Sequence, residues 1–200
     1  MYWFVIELEA QKGVSKDWLF QVAYPALDSL EVDIFQAGRS VQSYRVGDTK
    51  PFNERIIHNR NFLLPVSMEE QIPTLLLIRA QQFEGDLVEL PMQMIEASKL
   101  SKAEATPILI DGIYMGIMLV MGIYNLLLFF FLRDKAYLFY VGYVFSTLVL
   151  MISLRGWSYQ LLWPESPGWQ QLCYPFLFAS IAVFAVEFSA RLLSLKDTLP

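Results

Sequence analysis

Residues 112–132 read GIYMGIMLVMGIYNLLLFFFL, 21 residues without a single Asp, Glu, Lys or Arg. As an α-helix this stretch extends about 31 Å, enough to cross a hydrocarbon core of about 30 Å. Residues 136–154 are a second uncharged run, and residues 166–186 are a third. We therefore predict three membrane-spanning helices, at about residues 110–132, 136–154 and 170–188.

The two halves of the chain differ in charge. Residues 1–107 contain ten Lys or Arg and fifteen Asp or Glu, whereas residues 108–200 contain five of each kind. An acidic domain is a poor partner for nucleic acid, because phosphate contacts need clustered basic side chains. The single cysteine, Cys173, excludes an internal disulfide and a cysteine metal cluster.

The front half has the pattern of short strands. Leu30, Val32 and Ile34 alternate with Glu31 and Asp33, as in a half-solvated strand. Turn signals such as Lys12-Gly13, Ala37-Gly38 and Glu84-Gly85-Asp86 separate seven strand candidates, at residues 2–9, 18–24, 30–37, 40–46, 61–67, 73–82 and 90–97. This pattern predicts an all-β sandwich, jelly-roll-like, at residues 1–98. An open sheet packed on the membrane domain is the alternative.

Residues 99–107 are polar and predict a linker, so residues 108–200 form the membrane region. Basic residues near the helix ends set the orientation. Arg133 and Lys135 lie between the first two helices, Arg191 and Lys196 follow the third, and Arg155 alone lies in the intervening loop. The turn at residues 133–135 is thus expected in the cytoplasm, and the β domain outside. Four aromatic residues of the intervening loop suit the headgroup region: Trp157, Tyr159, Trp163 and Trp169.

Both ends of the chain suggest a fragment. Met1 leads directly into a strand without an export signal, and the third helix is followed by only a few residues before Pro200. We expect an incomplete sandwich and a truncated membrane region.

The order of short motifs resembles a known family, the bacterial seven-transmembrane receptors with diverse intracellular signalling modules. In the front half the motifs are Trp18-Leu19-Phe20, Gly47-Asp48 with Pro51-Phe52 and Arg55, and Leu76-Leu77-Ile78-Arg79. In the second half they are Asp111-Gly112-Ile113-Tyr114-Met115-Gly116, Tyr124-Asn125-Leu126, Arg133-Asp134-Lys135 with Tyr137-Leu138 and Tyr140, and Gly156 with Leu162-Trp163-Pro164.

The resemblance implies an extracellular sensor domain of the family's second type, followed by the first of seven helices. It also implies a ligand that is carbohydrate-like or another small molecule, and an output module such as a diguanylate cyclase or histidine kinase in the full-length chain. The expected location is the bacterial inner membrane, with the N-terminal domain in the periplasm or outside. The bilayer, the ligand and the output module are the expected partners, and a homodimer is left open.

Four residues are ligand candidates in the β domain: Trp3, Trp18, Arg55 and Arg79. The arginines suit carboxylate or hydroxyl groups, and the tryptophans could stack on a sugar face. The plainer interpretation is internal ion pairing for the arginines and core packing for the tryptophans. Gly47-Asp48 is foremost a turn, in which Gly permits positive φ. No catalytic residue, cofactor or metal is expected, since His58 is the only histidine and no nucleophile motif is present.

In the first helix, Gly112 and Gly116 form a small-xxx-small pair suited to helix packing and coupling. Asn125, near mid-membrane, is expected to bond across helices. The sequence thus predicts a receptor fragment that transmits a ligand signal through its helices. The alternative is a membrane-anchored glycan-binding or envelope assembly protein without signalling output.

Overall fold

The computed structural model describes residues 1–10, 16–70, 72–82 and 90–193. The chain forms two compact units: Met1–Glu104 with Arg155–Gln171, and Ala105–Leu154 with Leu172–Pro200. The loop between the second and third predicted membrane helices therefore belongs to the same unit as the β domain. The predicted turns at Lys12-Gly13 and Glu84-Gly85-Asp86, together with Lys196, lie outside the described residues.

The described part of the front half contains seven β-strands. They are β1 (Tyr2–Leu8), β2 (Asp17–Val22), β3 (Ser29–Gln36), β4 (Arg39–Val46), β5 (Phe62–Ser67), β6 (Thr74–Gln81) and β7 (Met92–Glu96). They pair in two antiparallel sheets, in the orders β1-β6-β3-β4 and β5-β2-β7. The prediction of an antiparallel β domain ahead of membrane helices is confirmed.

The two sheets share one apolar core. Leu30, Val32 and Ile34 of β3 are buried, as the alternation predicts, and they pack in one cluster with Phe20 and Leu64 of the other sheet. The hydroxyl of Tyr44 on β4 donates to the carbonyl of Pro65 on β5 at 2.7 Å, a polar link across the sandwich. In β3 and β6 one face is thus buried and the other is partly exposed, whereas consecutive residues of β2 and β5 are buried.

The β3–β4 hairpin closes at the predicted turn. Ala37 and Gly38 have φ of 49° and 76°, the left-handed pair of a two-residue hairpin. Gln36 and Arg39 are partners in the ladder on either side of the turn. The local sequence therefore sets the register of two strands.

The second half is helical in its described residues. The helices are α1 (Leu100–Leu132), α2 (Lys135–Leu154), α3 (Trp157–Leu161) and α4 (Pro167–Leu192). Three of them are long and apolar enough to span a membrane, in candidate spans Ala97–Leu132, Lys135–Leu154 and Pro167–Leu192. The predicted helices are thus present, but the prediction of a linker at residues 99–107 differs from the structure. That segment is largely helical, because Ser, Lys, Glu and Ala are compatible with a helix even where they do not suit lipid.

The turn between α1 and α2 uses two local devices. Arg133 adopts a left-handed conformation with φ of 54°, and its amide donates to the Phe129 carbonyl at 2.8 Å, which ends α1. Asp134 then caps α2, since its carboxylate accepts from the amide of Ala136 at 2.9 Å. This turn carries the basic residues that set the orientation.

Candidate functional site

The outer sheet face, the solvent side of the four-stranded sheet, carries a row of polar and aromatic side chains. Trp3 pairs with Arg79, Arg79 with Glu31, and Glu31 with Arg45, so the row crosses β1, β6, β3 and β4. Trp3 is 55% exposed, and the guanidinium of Arg79 lies 5.7 Å from its ring centroid. The structure therefore brings two of the four predicted ligand residues together on one accessible surface.

Charge pairing orders this row. Arg79 lies 3.3 Å from the Glu31 carboxylate, and Arg45 contacts both Glu31, at 3.3 Å, and Asp33, at 3.0 Å. The Ser43 hydroxyl and the Arg45 guanidinium donate to Asp33, and these hydrogen bonds lower the pKa of that carboxyl. The internal ion pairing considered for Arg79 is thus present while its side chain stays partly exposed.

An open groove of about 520 Å³ lies on the same face. Its lining includes Phe35, Leu75 and Leu77, together with Glu7. Leu77 is two residues from Arg79 along β6, so the two side chains are successive neighbours on one face of the strand. The outer sheet face thus combines an apolar groove with a charged, aromatic row.

Arg55 lies elsewhere, in the β4–β5 loop (residues 47–61). It is only 7% exposed, and its Nη1 donates to the carbonyls of Asn59 and Arg60 at 3.0 and 2.8 Å. Its guanidinium carbon lies 4.3 Å from the Phe62 ring centroid and 4.7 Å from that of Phe52. Through these contacts Arg55 stabilises the conformation of the β4–β5 loop.

The β4–β5 loop packs against residues 155–171, a segment that includes α3 and the first residues of α4 and that we call the α2–α4 loop. Tyr159 is 1% exposed, and its hydroxyl donates to the Lys50 carbonyl at 2.5 Å. The amide of Phe52 donates to the Pro164 carbonyl at 2.8 Å, and the Phe52 ring meets Tyr159 edge-on at 5.8 Å. The side chain of Asn53 donates to Glu165. A backbone bond, two side-chain bonds and an aromatic contact therefore join the two loops.

Three further features extend this junction. The guanidinium of Arg60 lies 4.8 Å from the ring centroid of Trp157. At Gly156, φ is 78°, and a Cβ would lie 2.7 Å from a Pro25 carbon. Asn59 donates to both carboxylate oxygens of Glu104 on α1, at 3.0 and 2.9 Å. The β4–β5 loop thus contacts both the start of α1 and the segment that leads into α4.

Two carboxyl groups are buried beside this junction. Asp48 is 1% exposed and Asp28 is 7% exposed, and their carboxyl groups are in hydrogen-bonding contact. Burial raises the pKa of Asp48 to about 7, with the Asp28 charge adding to the effect while Arg55 and Gln171 oppose it. Burial also raises the pKa of Tyr159 to about 12, so its hydroxyl stays a donor at neutral pH.

The pair is close because of Gly47. A Cβ at Gly47 would lie 2.0 Å from the Asp28 carbonyl oxygen, a distance that no side chain can occupy. The Asp48 amide donates to the Leu27 carbonyl at 2.9 Å, and the Thr49 hydroxyl donates to the Asp28 carbonyl at 2.9 Å. Gly47 is therefore needed for close approach and not for positive φ, which differs from the prediction.

Trp18, the fourth predicted ligand residue, is partly buried and packs against the core of the sandwich. Sequence reasoning did not single out Asp48 or Tyr159 as site residues. A signal was available for Tyr159, because Tyr is a favoured buried aromatic with a polar end. Nothing local shows that Asp28 and Asp48 meet, since 20 positions separate them.

The helix residues predicted for packing and coupling differ in their surroundings. A Cβ at Gly112 or Gly116 would have no neighbour within 4 Å among the described residues. Gly122 is the close-packed glycine of α1, where a Cβ would lie 3.1 Å from Phe145 of α2. The Asn125 side chain donates to the Met121 carbonyl of its own helix at 2.9 Å. The coupling role of Gly112, Gly116 and Asn125 stays a prediction.

Within the described residues, no group of three His, Cys, Asp or Glu side chains could hold a metal ion. The chemistry available on the outer sheet face is noncovalent: ring stacking, charge pairing and apolar contact. The junction joins the β4–β5 loop to the α2–α4 loop through hydrogen bonds and a ring contact. Both features suit binding and transmission.

Comparisons with known proteins agree with this arrangement. The family model "7TMR-DISM extracellular 2" matches residues 1–94, and the family model "7TM diverse intracellular signalling" matches residues 107–199. Comparisons with curated proteins and with solved structures found no significant match.

Proposed function

This chain belongs to the 7TMR-DISM family of transmembrane sensory receptors, and from that premise we propose that its β domain binds a small polar, carbohydrate-like ligand on the outer sheet face. The chain is an inner-membrane protein with an extracellular N-terminal sensor domain. Ligand binding changes the contact between the β4–β5 loop and the α2–α4 loop, and the helices carry that change to a cytoplasmic output module.

One observation carries the ligand proposal, the exposed Trp3 ring beside the Arg79 guanidinium. A tryptophan face offers a large apolar surface to the C–H groups of a sugar, and an arginine fork offers donors to hydroxyl or carboxylate oxygens. Both residues lie on adjacent strands of a rigid sheet, so their spacing is fixed before a ligand arrives. The neighbouring groove adds apolar contact area.

The contacts of the two loops support a receptor over a passive anchor. An anchor requires only a covalent connection between the β domain and the membrane. Here the β4–β5 loop also hydrogen-bonds to Glu104 of α1 and to the carbonyl of Pro164 ahead of α4. Because two membrane-bound segments meet one loop of the β domain, a shift of that loop acts on both. A ligand can drive such a shift only through a difference in affinity for the two arrangements.

Calorimetry on the full chain in lipid nanodiscs tests the ligand proposal. The panel contains cellobiose, maltose and chitobiose, with citrate and succinate as small organic acids. We expect at least one compound to bind, and Trp3→Ala to weaken it by up to about tenfold, since one stacking contact contributes about 0.5–1.5 kcal/mol. Arg79→Ala should weaken binding as well.

Two variants serve as controls. Lys16→Ala removes a positive charge directly ahead of β2, a strand of the other sheet, and should leave affinity unchanged. Arg55→Ala should destabilise the domain without a specific effect on binding, because Arg55 supports two carbonyl groups in the β4–β5 loop. Unchanged affinity in both Trp3→Ala and Arg79→Ala would move the ligand away from this face. Absence of binding across the panel would contradict the ligand class.

A further inference from the structure

The junction of the two loops contains a feature that ligand binding does not require. Asp28 and Asp48 place two carboxyl groups together in the interior of the first unit, where each is more than nine-tenths buried. The Oδ1 atom of Asp48 has no hydrogen-bond partner among the described residues. A buried carboxylate without full hydrogen bonding is costly, and two adjacent buried carboxylates are costlier still.

We propose that Asp28 and Asp48 form a proton-binding site through which the receptor reads external pH, with proton loss favouring separation of the α2–α4 loop from the β domain. This inference rests on the proposed function only for its consequence, transmission to the helices. Proton binding and loop separation are properties of the first unit itself.

Hydrogen bonding supports a shared proton. Two carboxyl groups in hydrogen-bonding contact need a proton between them, because two carboxylates are both acceptors. The side chain of Gln171, in the α2–α4 loop, hydrogen-bonds to Asp48 as well. The titrating group therefore touches the segment whose position it would control.

We next consider whether other charged groups around the junction could be the proton-binding site. Arg55 is the cation whose charge acts on Asp48, but its guanidinium also donates to two carbonyl groups. Tyr159, with its raised pKa, keeps its proton across the physiological range. The titratable and charged groups on the packed segments, besides Asp48, are Asp28, Arg45, Lys50, Glu54, Arg55, His58, Arg60, Glu104, Arg155, Tyr159 and Glu165.

His58 is the group that an experiment must separate from Asp48. Its ring centroid lies 6.1 Å from that of Phe52, and histidine side chains change charge between pH 5 and 8. His58 is exposed, however, whereas Asp28 and Asp48 are buried. Substitution of His58 therefore distinguishes the two sources of pH dependence.

The direction of the effect follows from the pKa of Asp48. In the packed junction burial raises this pKa to about 7, whereas a solvated aspartate has a pKa of about 3.9. The packed state thus binds the proton more tightly than the separated state. The stabilisation of the packed state by this proton is fully present below about pH 4 and decreases as the pH rises from about 4 to about 7. Above about pH 7 it no longer changes.

Hydrogen exchange of the full chain in lipid nanodiscs measures this effect without ligand or output module. After correction for intrinsic exchange rates, peptides covering residues 50–55 and 157–166 should lose protection by about tenfold or more between pH 5 and pH 8. In Asp48→Asn the side chain is neutral at every pH, so protection should be independent of pH and remain high at pH 8.

Three further variants complete the test. Asp28→Asn removes the repelling charge, so the pH at which protection levels off should fall. In His58→Gln and Asp33→Asn, protection should depend on pH as it does in the wild-type chain. If Asp48→Asn does not fold, Asp28→Asn decides the matter.

The proposal is wrong if the unchanged chain shows no dependence on pH between 5 and 8. It is also wrong if Asp48→Asn keeps the dependence, if Asp28→Asn leaves the levelling point in place, or if His58→Gln abolishes the dependence. Failure of the calorimetric ligand test leaves these outcomes unaffected, so the two proposals fail separately.

Discussion

Gly156 shows how one residue lets two loops meet. Its left-handed φ of 78° costs a non-glycine residue about 1–3 kcal/mol, and a Cβ would lie 2.9 Å from the Arg60 carbonyl oxygen as well as against Pro25. Both effects act at the junction and leave the two sheets untouched. The position therefore separates loop packing from domain stability.

We predict that Gly156→Ala destabilises the packed junction by about 2 kcal/mol or more while the β sandwich stays folded. Hydrogen exchange of the full chain should show faster exchange at residues 157–166 and unchanged protection in β3 and β6. Gly168→Ala is the matched control, since a Cβ there meets no atom within 4 Å. Equal protection in both variants would show that Gly156 does not support the junction.

At the scale of single elements, α1 has two glycine positions with different surroundings. Gly122 packs against Phe145 of α2, and Gly116 faces no described side chain within 4 Å. A bulky residue at Gly122 must displace a neighbour, whereas one at Gly116 meets no side chain of the described helices. The open face at Gly112 and Gly116 is the surface that we proposed for coupling.

Leucine substitution tests these two faces. Gly122→Leu should lower the thermal stability of the helical unit in nanodiscs, by about 1–3 kcal/mol from overpacking. Gly116→Leu should insert normally, because leucine partitions favourably into lipid. In the complete receptor we expect Gly116→Leu to lock or abolish output at normal membrane abundance. Normal ligand-dependent output from this variant would show that the face meets lipid.

For the whole molecule, the contacts of the α2–α4 loop bear on membrane orientation. Residues 155–171 share a unit with the extracellular β domain, so this loop lies on the outer side. One membrane-spanning helix, α1, separates the β domain from the turn with Arg133 and Lys135, so this turn lies on the opposite side of the membrane. That order agrees with basic residues in the cytoplasm.

Fusions of alkaline phosphatase, which is active only outside the cytoplasm, test this orientation. Behind an export signal, a fusion after Glu165 should be active and a fusion after Lys135 inactive. Immunoblots of both fusions must show equal abundance. Activity after Lys135 without activity after Glu165 would reverse the orientation and contradict the receptor model.

Local sequence was sufficient for the strands and the three long helices of this protein, but not for α3 or for the helical start of α1. Alternating polarity predicted β3 and its buried face, the Ala37-Gly38 pair predicted a hairpin, and uncharged runs predicted three long helices. Each of these elements depends on residues that are close in the chain and on whether the surrounding solvent is water or lipid. The polarity of the side chains determines which solvent they prefer. The order of motifs across both halves was sufficient to identify the family.

Tertiary structure alone decided which distant residues meet. Arg55 and Arg79 looked alike in sequence, yet one is buried under aromatic rings and the other lies on the outer sheet face. Tyr159 was assigned to the lipid headgroups from its loop, but its hydroxyl reaches the Lys50 carbonyl. The sequence by itself determined the strands, the helices and their solvent, because those follow from local periodicity. The junction and the Asp28–Asp48 pair follow from chain packing, since the electrostatic cost of burying a charge depends on neighbours that are remote in sequence.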